Sequence, residues 1–524
     1  MSPFIFRPAR TLKATCLPVI LLLLTSLYEP CLGQNAYVRR EGSLLRDSTG
    51  RMLLLRGLNY VNKDRKNKYL NLIKDEAFVK MRSWGYNAVR LGVNWSALEP
   101  SPGSYDSIYL HDLDTRLQYA KQQGIYVILD MHQDLFSEKF GNGAPLWATL
   151  DEDKPHYTGG TWSDAYYISL AVQAAFDNFW NNTPASTGTG VQDHYIKTWT
   201  MLAARYRHDK NIVGFDVMNE PFAGSAAVEA LQAMIAEVTN FLNQKNTGKQ
   251  YTAKEISAMW MDEKGKSFIL KTLSGREVFI RVLQQMEPTY RFFEENRLLP
   301  FYRKLAAAIR KVNKEHILFW EPSVSSNNGI PSYLSPVTEA GNQQGYMPHF
   351  YDIVLDSEQA GEADPGRLSF MFAQLRYTMQ KLQLPTLIGE WGAFYGGDQR
   401  VVNAAAIMAA GIDALLAGDF YWDYFVGLEN QAYFKEVLLR PYMQATAGKI
   451  IKQVAGKNSL LLTWQEDGIS KADNLIFVPA SKNLKITGKV KYTKLQLNNG
   501  GGCLLKIAPL KKTGTRTIKI YWKK

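Results

Sequence analysis

Cysteine is scarce in this 524-residue sequence, which contains only Cys16, Cys31 and Cys503. The first two fall within residues 1–33, where basic residues precede the apolar run Leu17–Leu27 and a small glycine follows. This pattern predicts a secretory signal peptide and therefore a secreted or periplasmic protein. Its removal would leave Cys503 alone, so the mature chain is expected to form no internal disulfide.

Long hydrophobic runs are missing outside that segment. Leu17–Leu27 is too short and too weakly flanked to predict a membrane span, and an uncleaved anchor is the alternative. No CxxC pair and no cluster of His and Cys indicates a structural metal site. The composition, 46% hydrophobic and 21% charged, is typical of a globular protein with room for one large and one small domain.

Acidic residues are almost missing from the C-terminal part. Residues 449–524 hold 16 Lys and Arg against 3 Asp and Glu, whereas residues 34–448 are slightly acidic overall. Two interpretations are open: a solvated lysine-rich face, or a weak attraction to anionic membrane surfaces. Under the second interpretation the protein makes a peripheral contact with a membrane surface. No nucleic-acid partner is expected.

Eight short apolar runs alternate with helix-like segments along residues 34–442. The runs are Met52–Asn59, Tyr86–Val93, Ile125–His132, Val213–Glu220, His316–Glu321, Tyr346–Asp352, Leu384–Glu390 and Asp419–Phe425. The helix-like segments are Asp75–Trp84, Leu113–Gln123, Gln192–Tyr206, Pro300–Lys314, Arg367–Lys381 and Asn403–Ala417. This alternation predicts the α/β class and a (β/α)8 TIM barrel.

After Tyr442 the pattern changes to short β-prone segments separated by turns. They are Ser459–Gln465, Asn474–Val478, Leu484–Val490, Lys494–Leu497 and Thr515–Trp522. We therefore expect residues 443–524 to form a small C-terminal antiparallel β-sandwich appended to the barrel.

The chemical hypothesis rests on two of the apolar runs that end in a carboxylate. Val213–Pro221 ends in Asn219-Glu220, and Leu384–Gly392 contains Glu390. A strand buried on both faces rarely carries a carboxylate that has neither a function nor a partner. Because active sites of such barrels lie at the C-terminal ends of the strands, the pair predicts acid and nucleophile chemistry at the barrel mouth.

Polar or aromatic side chains gather at other strand ends as well. They include Asn59, Lys63, Arg90, His132, Asp134, Glu321, His349, Tyr351 and Trp422. Each alone also fits a structural role, but the repetition at eight strand ends favours an active site. Glu321 is the competing carboxylate and ranks below Glu220 because no Asn precedes it. Arg90 and Tyr351 are expected to keep Glu390 anionic.

These motifs together resemble glycoside hydrolase family 5. They are NAVRLG around Arg90, DMHQD with His132, MNEP with Glu220, HFY with His349 and Tyr351, GEWG with Glu390, and YWDY with Trp422. Within that family, LNYVNKD, DMHQDLFSEKFGNGAPLWA, FDVMNEPF and LIGEWGAF resemble the endoglycoceramidase branch. That branch has a signal peptide, a barrel and a C-terminal β-sandwich, so the resemblance covers nearly the whole chain.

The resemblance implies that Glu220 is the acid/base and Glu390 the nucleophile. The residues implied to hold the sugars nearest the cut are Lys63, His132, Asp134, Asn219, Tyr351 and Trp422, with Arg90 and His349 in support. The implied reaction is hydrolysis of the β-glycosidic bond between oligosaccharide and ceramide in glycosphingolipids, with no metal or cofactor. A monomer is expected. The alternatives are a secreted β-glucanase or β-glucosidase of the same fold, and a non-catalytic glycolipid-binding protein.

Two long excursions interrupt the barrel, from Phe136 to about Asp193 and from Phe222 to about Pro300. Loops of this length usually form lids or binding walls. The candidate walls of a ceramide groove are Leu135, Phe136, Trp147, Phe222 and the apolar face of Val278–Phe293. That amphipathic face is expected either to pack on the barrel or to contact lipid.

Overall fold

A computed structural model describes residues 36–70, 76–245, 248–355, 360–394, 398–480, 482–488, 490–497 and 502–523. The predicted signal peptide, residues 1–33, lies outside these residues. Within the described ranges, no helix is both long and apolar enough to cross a membrane.

Eight parallel strands form the barrel. They are Arg56–Tyr60, Ala88–Asn94, Tyr126–His132, Ile212–Asp216, Ile317–Trp320, Gln344–Tyr346 continued by His349–Phe350, Leu387–Gly392 and Gly418–Trp422. The strands pair in sequence order, and the eighth pairs with the first, with Asp419 opposite Arg56. The predicted (β/α)8 barrel is confirmed.

The sixth strand is broken at Pro348. Its first piece pairs with the fifth strand, Gln344 opposite Leu318, and its second piece pairs with the seventh, His349 opposite Glu390. Proline has no N–H to donate to a ladder, which accounts for the interruption. Because of this register, His349 lies beside Glu390 at the mouth of the barrel.

Helices cover the barrel close to the predicted positions. The six longer ones are Glu76–Ser83, Ser107–Gln122, Val191–Arg205, Leu299–Arg310, Pro365–Leu382 and Gln399–Leu415. Shorter helical turns are Arg65–Asn67, Trp95–Leu98, Leu146–Ala148, Trp162–Asp164, Gly224–Ala226, Ala360–Glu362, Leu428–Asn430 and Phe434–Leu438. The fifth and sixth strands are joined by an irregular segment with the 3-10 turns Val324–Asn328 and Thr338–Ala340.

The two excursions are largely helical. Their helices are Ala165–Ile168 and Leu170–Trp180 in the first, and Ala227–Gln244, Ala253–Trp260, Glu263–Thr272 and Arg276–Phe293 in the second. Val278 and Val282 of the last helix share an apolar cluster with Met234 and Val238 of Ala227–Gln244. The apolar face of Val278–Phe293 therefore packs inside the protein, which was one of the two expected outcomes.

Two antiparallel sheets form the β-sandwich, whose presence is confirmed. The four-stranded sheet contains Gly448–Gly456, Ser459–Glu466, Gly514–Tyr521 and Lys485–Thr487. The seven-stranded sheet contains Arg39–Glu41, Leu44–Arg46, Met52–Leu53, Tyr442–Thr446, Asn474–Val478, Cys503–Ile507 and Thr493–Gln496. Trp464 and Ile518 of the first pack against Ile476 and Leu505 of the second.

The N-terminal strands belong to the sandwich and not to the barrel. Met52–Leu53 pairs with Tyr442–Thr446, so the first half of the predicted barrel strand Met52–Asn59 lies in the other sheet. A buried ion network lies where the two parts meet: Arg56 bonds to Asp413 at 2.6 Å and to Asp419 at 2.9 Å, and Arg440 contacts both aspartates. The Arg56 guanidinium also lies 4.3 Å from the ring of Tyr442, which belongs to the seven-stranded sheet. The lower end of the barrel is thus closed by polar as well as apolar contacts.

Candidate active site

Arg90 occupies the centre of the barrel and is fully buried on the second strand. Its guanidinium lies 2.9 Å from Asp130, 2.8 Å from Asp216, 2.9 Å from Glu321 and 2.7 Å from Glu390. Burial lowers the pKa of Arg90, but the carboxylates of Asp130 and Asp216 raise it well above its usual value. The arginine is therefore a fixed cation around which the carboxyl groups of four strands are arranged.

The pKa values of Asp216 and Glu321 are shifted in opposite directions. Burial and the neighbouring Glu321 raise the pKa of Asp216 well above its usual value, although the Arg90 cation opposes this shift. Burial also acts on Glu321, but the His349 and Arg90 cations hold its pKa below the usual value. Glu321 is therefore a buried anion that belongs to the supporting network.

Glu390 lies on the seventh strand with cations and a hydroxyl around it. Arg90 Nη1 lies 2.7 Å from one carboxylate oxygen, and Tyr351 donates its hydroxyl to the other at 3.0 Å. His349 Nδ1 lies 3.5 Å away. The expected contacts are present, yet burial outweighs His349 and Arg90 and raises the pKa of Glu390 above its usual value.

Glu220 follows the fourth strand at a sharp turn of the backbone. Its φ of 45° is rare for a residue other than glycine, and its N–H donates to Glu321 Oε2 at 2.8 Å. Oε1 accepts a hydrogen bond from Asn327 Nδ2 at 2.6 Å and lies 3.0 Å from His349 Nδ1. The side chain is 12% exposed, against 2% for Glu321, so Glu220 is the more accessible carboxylate.

Glu220 and Glu390 face each other across the mouth. One carboxylate oxygen of each lies within 4.8 Å of the other, and His349 Nδ1 lies between them, 3.0 Å from Glu220 and 3.5 Å from Glu390. These three groups could hold a metal only if His349 were neutral. Both of its ring nitrogens face carboxylates, and although burial lowers the pKa of His349, Glu321 and Glu390 raise it well above its usual value. An imidazolium offers no lone pair, so the trio fits acid–base chemistry better than metal binding.

Four of the predicted sugar-binding residues come together beside this pair. The rings of His132 and Trp422 stack with centroids 5.3 Å apart and planes tilted by 15°. Lys63 Nζ lies 4.3 Å from the Trp422 ring and 2.6 Å from Asp134. Such a group of one aromatic face and several fixed charges is typical of a carbohydrate subsite.

Charge in this subsite is set by neighbouring groups. Burial lowers the pKa of His132, but Asp130, 2.8 Å from Nδ1, raises it to about 9. Burial raises the pKa of Asp134, yet Lys63 and His132 hold it far below its usual value. At neutral pH His132 is therefore a cation and Asp134 an anion.

Asn219 is held in one orientation. Its Oδ1 accepts a hydrogen bond from Arg90 Nη2 at 2.9 Å, and its Nδ2 donates to the Gln133 carbonyl at 3.0 Å. Tyr351 lies beside Glu390. All ten predicted site residues are thus either in the Arg90 network or in the adjoining subsite.

Sequence reasoning missed several residues of the site. They are Asp130, Asp216, Asn327 and Asp423. Asp130 and Asp216 interrupt buried strands, which was a signal, because a carboxylate inside an apolar strand needs a partner. Burial raises the pKa of Asp423 to about 6. Asn327 lies in an irregular loop, where no periodic pattern marks a residue.

The predicted walls of a ceramide groove are mostly core residues, so that prediction is wrong. Phe222 is fully buried against Tyr166 and Phe176. Trp147 packs on Trp95 and donates Nε1 to the Glu99 carbonyl. These side chains fill the space between the excursions and the barrel, because large apolar groups there have packing partners on several sides. Leu135 and Phe136 are likewise buried.

Other apolar side chains of the excursions are exposed. Trp162, Met261 and Phe268 are 45%, 51% and 39% exposed, and we call these three the apolar lip. The Lys266 ammonium joins the two excursions by an ion pair with Asp164 at 2.6 Å. Ring contacts lead inward from Trp162 to Tyr166 and then to Phe222, two residues beyond Glu220.

Comparisons with known proteins agree with this geometry. Residues 47–254 match the model of the cellulase family, glycosyl hydrolase family 5. Endoglycoceramidase I of Rhodococcus hoagii (strain 103S) is 28% identical over 433 residues, which cover 79% of this chain and 73% of the relative. Endo-glycoceramidase II from Rhodococcus sp. in its ganglioside GM3 complex superposes with a TM-score of 0.71 and 24% identity, covering 92% of this chain and all of that one. The structure of its lactosyl-enzyme intermediate superposes with a TM-score of 0.69 and 23% identity, covering 93% of this chain and all of that one.

Proposed function

We propose that this chain, which carries a glycosyl hydrolase family 5 domain and resembles the endoglycoceramidases, is a retaining glycoside hydrolase. Its substrate class is the glycosphingolipids, and it cleaves the β-glycosidic bond between oligosaccharide and ceramide. The observation that carries the proposal is the approach of Glu220 and Glu390 to within 4.8 Å. Retaining glycosidases hold their two carboxyl groups about 5 Å apart, whereas inverting enzymes leave room for a water molecule.

The chemistry assigns one role to each carboxylate. Glu390 attacks the anomeric carbon, the bond to the ceramide oxygen breaks, and Glu220 gives its proton to that oxygen. Glu220 then takes a proton from water, whose oxygen attacks the same carbon and frees Glu390. Each step inverts the carbon once, so the released sugar keeps the β configuration.

The surrounding charges suit these roles. Burial raises the pKa of Glu390, and the cations His349 and Arg90 counteract this effect. They thereby favour the anionic form that a nucleophile requires. Tyr351 fixes the orientation of the second carboxylate oxygen. Lys63, His132, Asp134 and Trp422 form the subsite for the sugar that precedes the cut bond.

The name endoglycoceramidase of the relatives supports a ceramide leaving group, and so does the apolar lip. Trp162 connects through Tyr166 to the side of the site that holds Glu220. Glu220 donates to the leaving group, so an apolar surface on its side favours a lipid over a second sugar.

The decisive experiment compares two substrates. Purified protein is assayed against a glycosylceramide and against a cello-oligosaccharide of similar size. We expect release of the oligosaccharide from the glycolipid and little cleavage of the soluble glucan. Faster cleavage of the glucan would favour a β-glucanase, for which the cellulase description of the matched family is the specific support. Binding of both without cleavage would indicate a non-catalytic protein.

We further propose that the β-sandwich makes a peripheral contact with anionic membranes. The outer face of its four-stranded sheet presents Lys449, Lys452, Lys485 and Lys519, together with the exposed apolar side chains Ile451, Val454 and Tyr521. None of the four strands exposes an acidic side chain, since Glu466 is buried. Cationic and apolar groups on one flat face are complementary to an anionic bilayer surface.

Vesicle binding tests this surface. Replacement of the four lysines by Gln should weaken binding to phosphatidylglycerol-containing vesicles by at least about tenfold, because each lysine near such a surface contributes roughly fivefold. Binding should also fall with added salt. The matched control replaces four exposed lysines elsewhere on the domain, Lys471, Lys482, Lys491 and Lys512. An equal loss in the control would mean that net charge, and not this face, attracts the membrane.

The location and assembly of the protein are proposed from the sequence. Residues 1–33 support export from the cytoplasm, and N-terminal sequencing of the exported protein would reveal cleavage near Gly33. We propose that the mature protein is a monomer, and light scattering coupled to size exclusion measures its mass.

A further inference from the structure

We propose that Asn327 and Glu294 are positioning residues for the acid/base, an inference that rests on the proposed function. Asn327 fixes the carboxyl group of Glu220 so that its proton resides on Oε2. Glu294 holds the loop that carries Asn327.

The first step of the argument is the contact between Asn327 and Glu220. Asn327 Nδ2 donates to Glu220 Oε1 at 2.6 Å, and His349 Nδ1 lies 3.0 Å from the same oxygen. Two donors directed at Oε1 disfavour a proton there, because a protonated oxygen is a poor acceptor. The proton that the leaving group needs is therefore carried by Oε2.

Asn327 also reaches the other half of the site. Its backbone carbonyl accepts a hydrogen bond from Tyr351 N at 3.0 Å, and the Tyr351 hydroxyl donates to Glu390. The Asn327 side chain is 7% exposed, so its position is set by packing on all sides. Asn327 thus contacts the Glu220 carboxylate directly and helps to position Tyr351, which contacts the Glu390 carboxylate.

The second step concerns how the loop is held. Residues 322–334 contain little regular structure beyond the 3-10 turn Val324–Asn328. Glu294 accepts hydrogen bonds from Ser323 N at 2.7 Å, Ser332 Oγ at 2.9 Å and Tyr333 N at 2.5 Å. Its carboxylate therefore ties together the two ends of the loop, with Asn327 between them.

The third step concerns how Glu294 reaches the loop. It begins a π-helical turn, Glu294–Leu298, between the helices Arg276–Phe293 and Leu299–Arg310. Such turns are rare and are frequently found at functional sites. Glu294 is 2% exposed, and a carboxylate buried to this degree needs the donors that the loop supplies.

The experiment uses the dependence on the leaving group. Asn327→Ala should lower kcat/KM for a glycosylceramide by about tenfold to a hundredfold, since general acid catalysis of poor leaving groups contributes at least this much. The same variant should lower kcat/KM for a dinitrophenyl glycoside by less than about threefold, because that leaving group needs no proton. Glu294→Gln should follow the same pattern with a smaller loss.

Two further variants keep the test decisive. Asn327→Asp keeps the side-chain shape, removes the donor and places a second carboxylate against Glu220, so it should impair the glycolipid reaction at least as much as Asn327→Ala. Asn328→Ala is the matched control from the same loop, because its side chain donates to the Tyr351 carbonyl and does not touch Glu220. It should change the two substrates in equal proportion.

Parallel losses on both substrates for Asn327→Ala and Asn327→Asp would overturn the positioning role and leave only a structural one. Failure of the proposed function would be seen separately, in the unaltered protein. If that protein cleaved only soluble glucans, the comparison would be repeated with an unactivated glucan in place of the glycolipid.

Discussion

At the scale of single residues, the two glutamates that end the fourth and fifth strand regions differ in their surroundings. Glu321 is buried between Arg90 and His349 and accepts the N–H of Glu220. Glu220 has its own side chain turned toward the mouth. The Glu321 carboxylate thus holds in place the backbone that presents the Glu220 carboxylate.

This difference predicts how the glutamates respond to substitution. Glu390→Gln should abolish turnover of every substrate, because no covalent intermediate forms. Glu220→Ala should strongly reduce cleavage of the glycolipid and spare the first step with a dinitrophenyl glycoside. Glu321→Ala should lower stability, since it leaves buried cations without their partner. Burst-phase kinetics and thermal unfolding measure these effects, and acid-like kinetics for Glu321→Ala would reverse the assignment.

The raised pKa of His132 predicts that the stability of the protein depends on pH. Its pKa is about 9 in the folded protein and about 6.5 when unfolded. The folded state therefore binds this proton more tightly, and the stabilisation is complete below pH 6.5 and disappears as pH rises to about 9. The full effect is roughly 3 kcal/mol.

The measurement is the free energy of unfolding of the parent and of His132→Gln by chemical denaturation. The difference between the two proteins should shrink between pH 6.5 and pH 9. A difference that does not change with pH would mean that folding leaves the pKa of His132 unchanged.

At the scale of elements, the strands and helices follow from local pattern. Asn474–Val478 was predicted with its observed bounds, whereas the strand predicted at Val213–Glu220 is observed at Ile212–Asp216. An apolar run specifies burial, but it does not specify which sheet it joins. Met52–Leu53 therefore was assigned to the barrel although it pairs in the sandwich.

In the excursions, local sequence pattern does not predict what an apolar face packs against. The sequence indicates that Phe222 and the face of Val278–Phe293 are apolar, yet an apolar face against protein and one against lipid look the same. Asn327 was missed for a related reason, because its role arises from a contact with Glu220 across 107 residues. The ten predicted site residues could be found from the sequence because each lies on a barrel strand or shortly after one, where barrel geometry brings them together.

Buried and exposed aromatics of the excursions should behave differently. Phe222→Ser should destabilise the protein by about 3–5 kcal/mol, as for other truncated core aromatics, and reduce activity on both substrate types. Trp162→Ser should keep the thermal midpoint and reduce activity only on the glycolipid. Thermal unfolding with paired glycolipid and aryl glycoside assays separates them. Loss of both activities in folded Trp162→Ser would remove the apolar lip from the proposed lipid site.

At the scale of the whole molecule, barrel and sandwich are one folding unit. Strands from both ends of the chain share the seven-stranded sheet, and Arg56, Asp413, Asp419 and Arg440 connect it to the barrel. Breaking one partner of a buried charge network costs about 3–5 kcal/mol. Neither part is therefore expected to be stable alone.

Calorimetry tests this cooperativity. The protein should unfold in a single transition, and Asp419→Asn should lower the midpoint without splitting it. Removal of Lys449–Lys524 should yield no soluble protein. Two separate transitions, or a soluble and active truncated barrel, would contradict the interdependence of the two parts.

The pairing of Met52–Leu53 with Tyr442–Thr446 also constrains when the protein can become complete. Nearly the whole barrel sequence is synthesised between these two strands, so the sheet that they share cannot form while the chain is still emerging. Contacts so distant in sequence slow folding and prolong the lifetime of partly folded chains. A chain that reaches its native state only after its last strands are made suits the export that we propose, in which it would cross a membrane unfolded and fold on the other side.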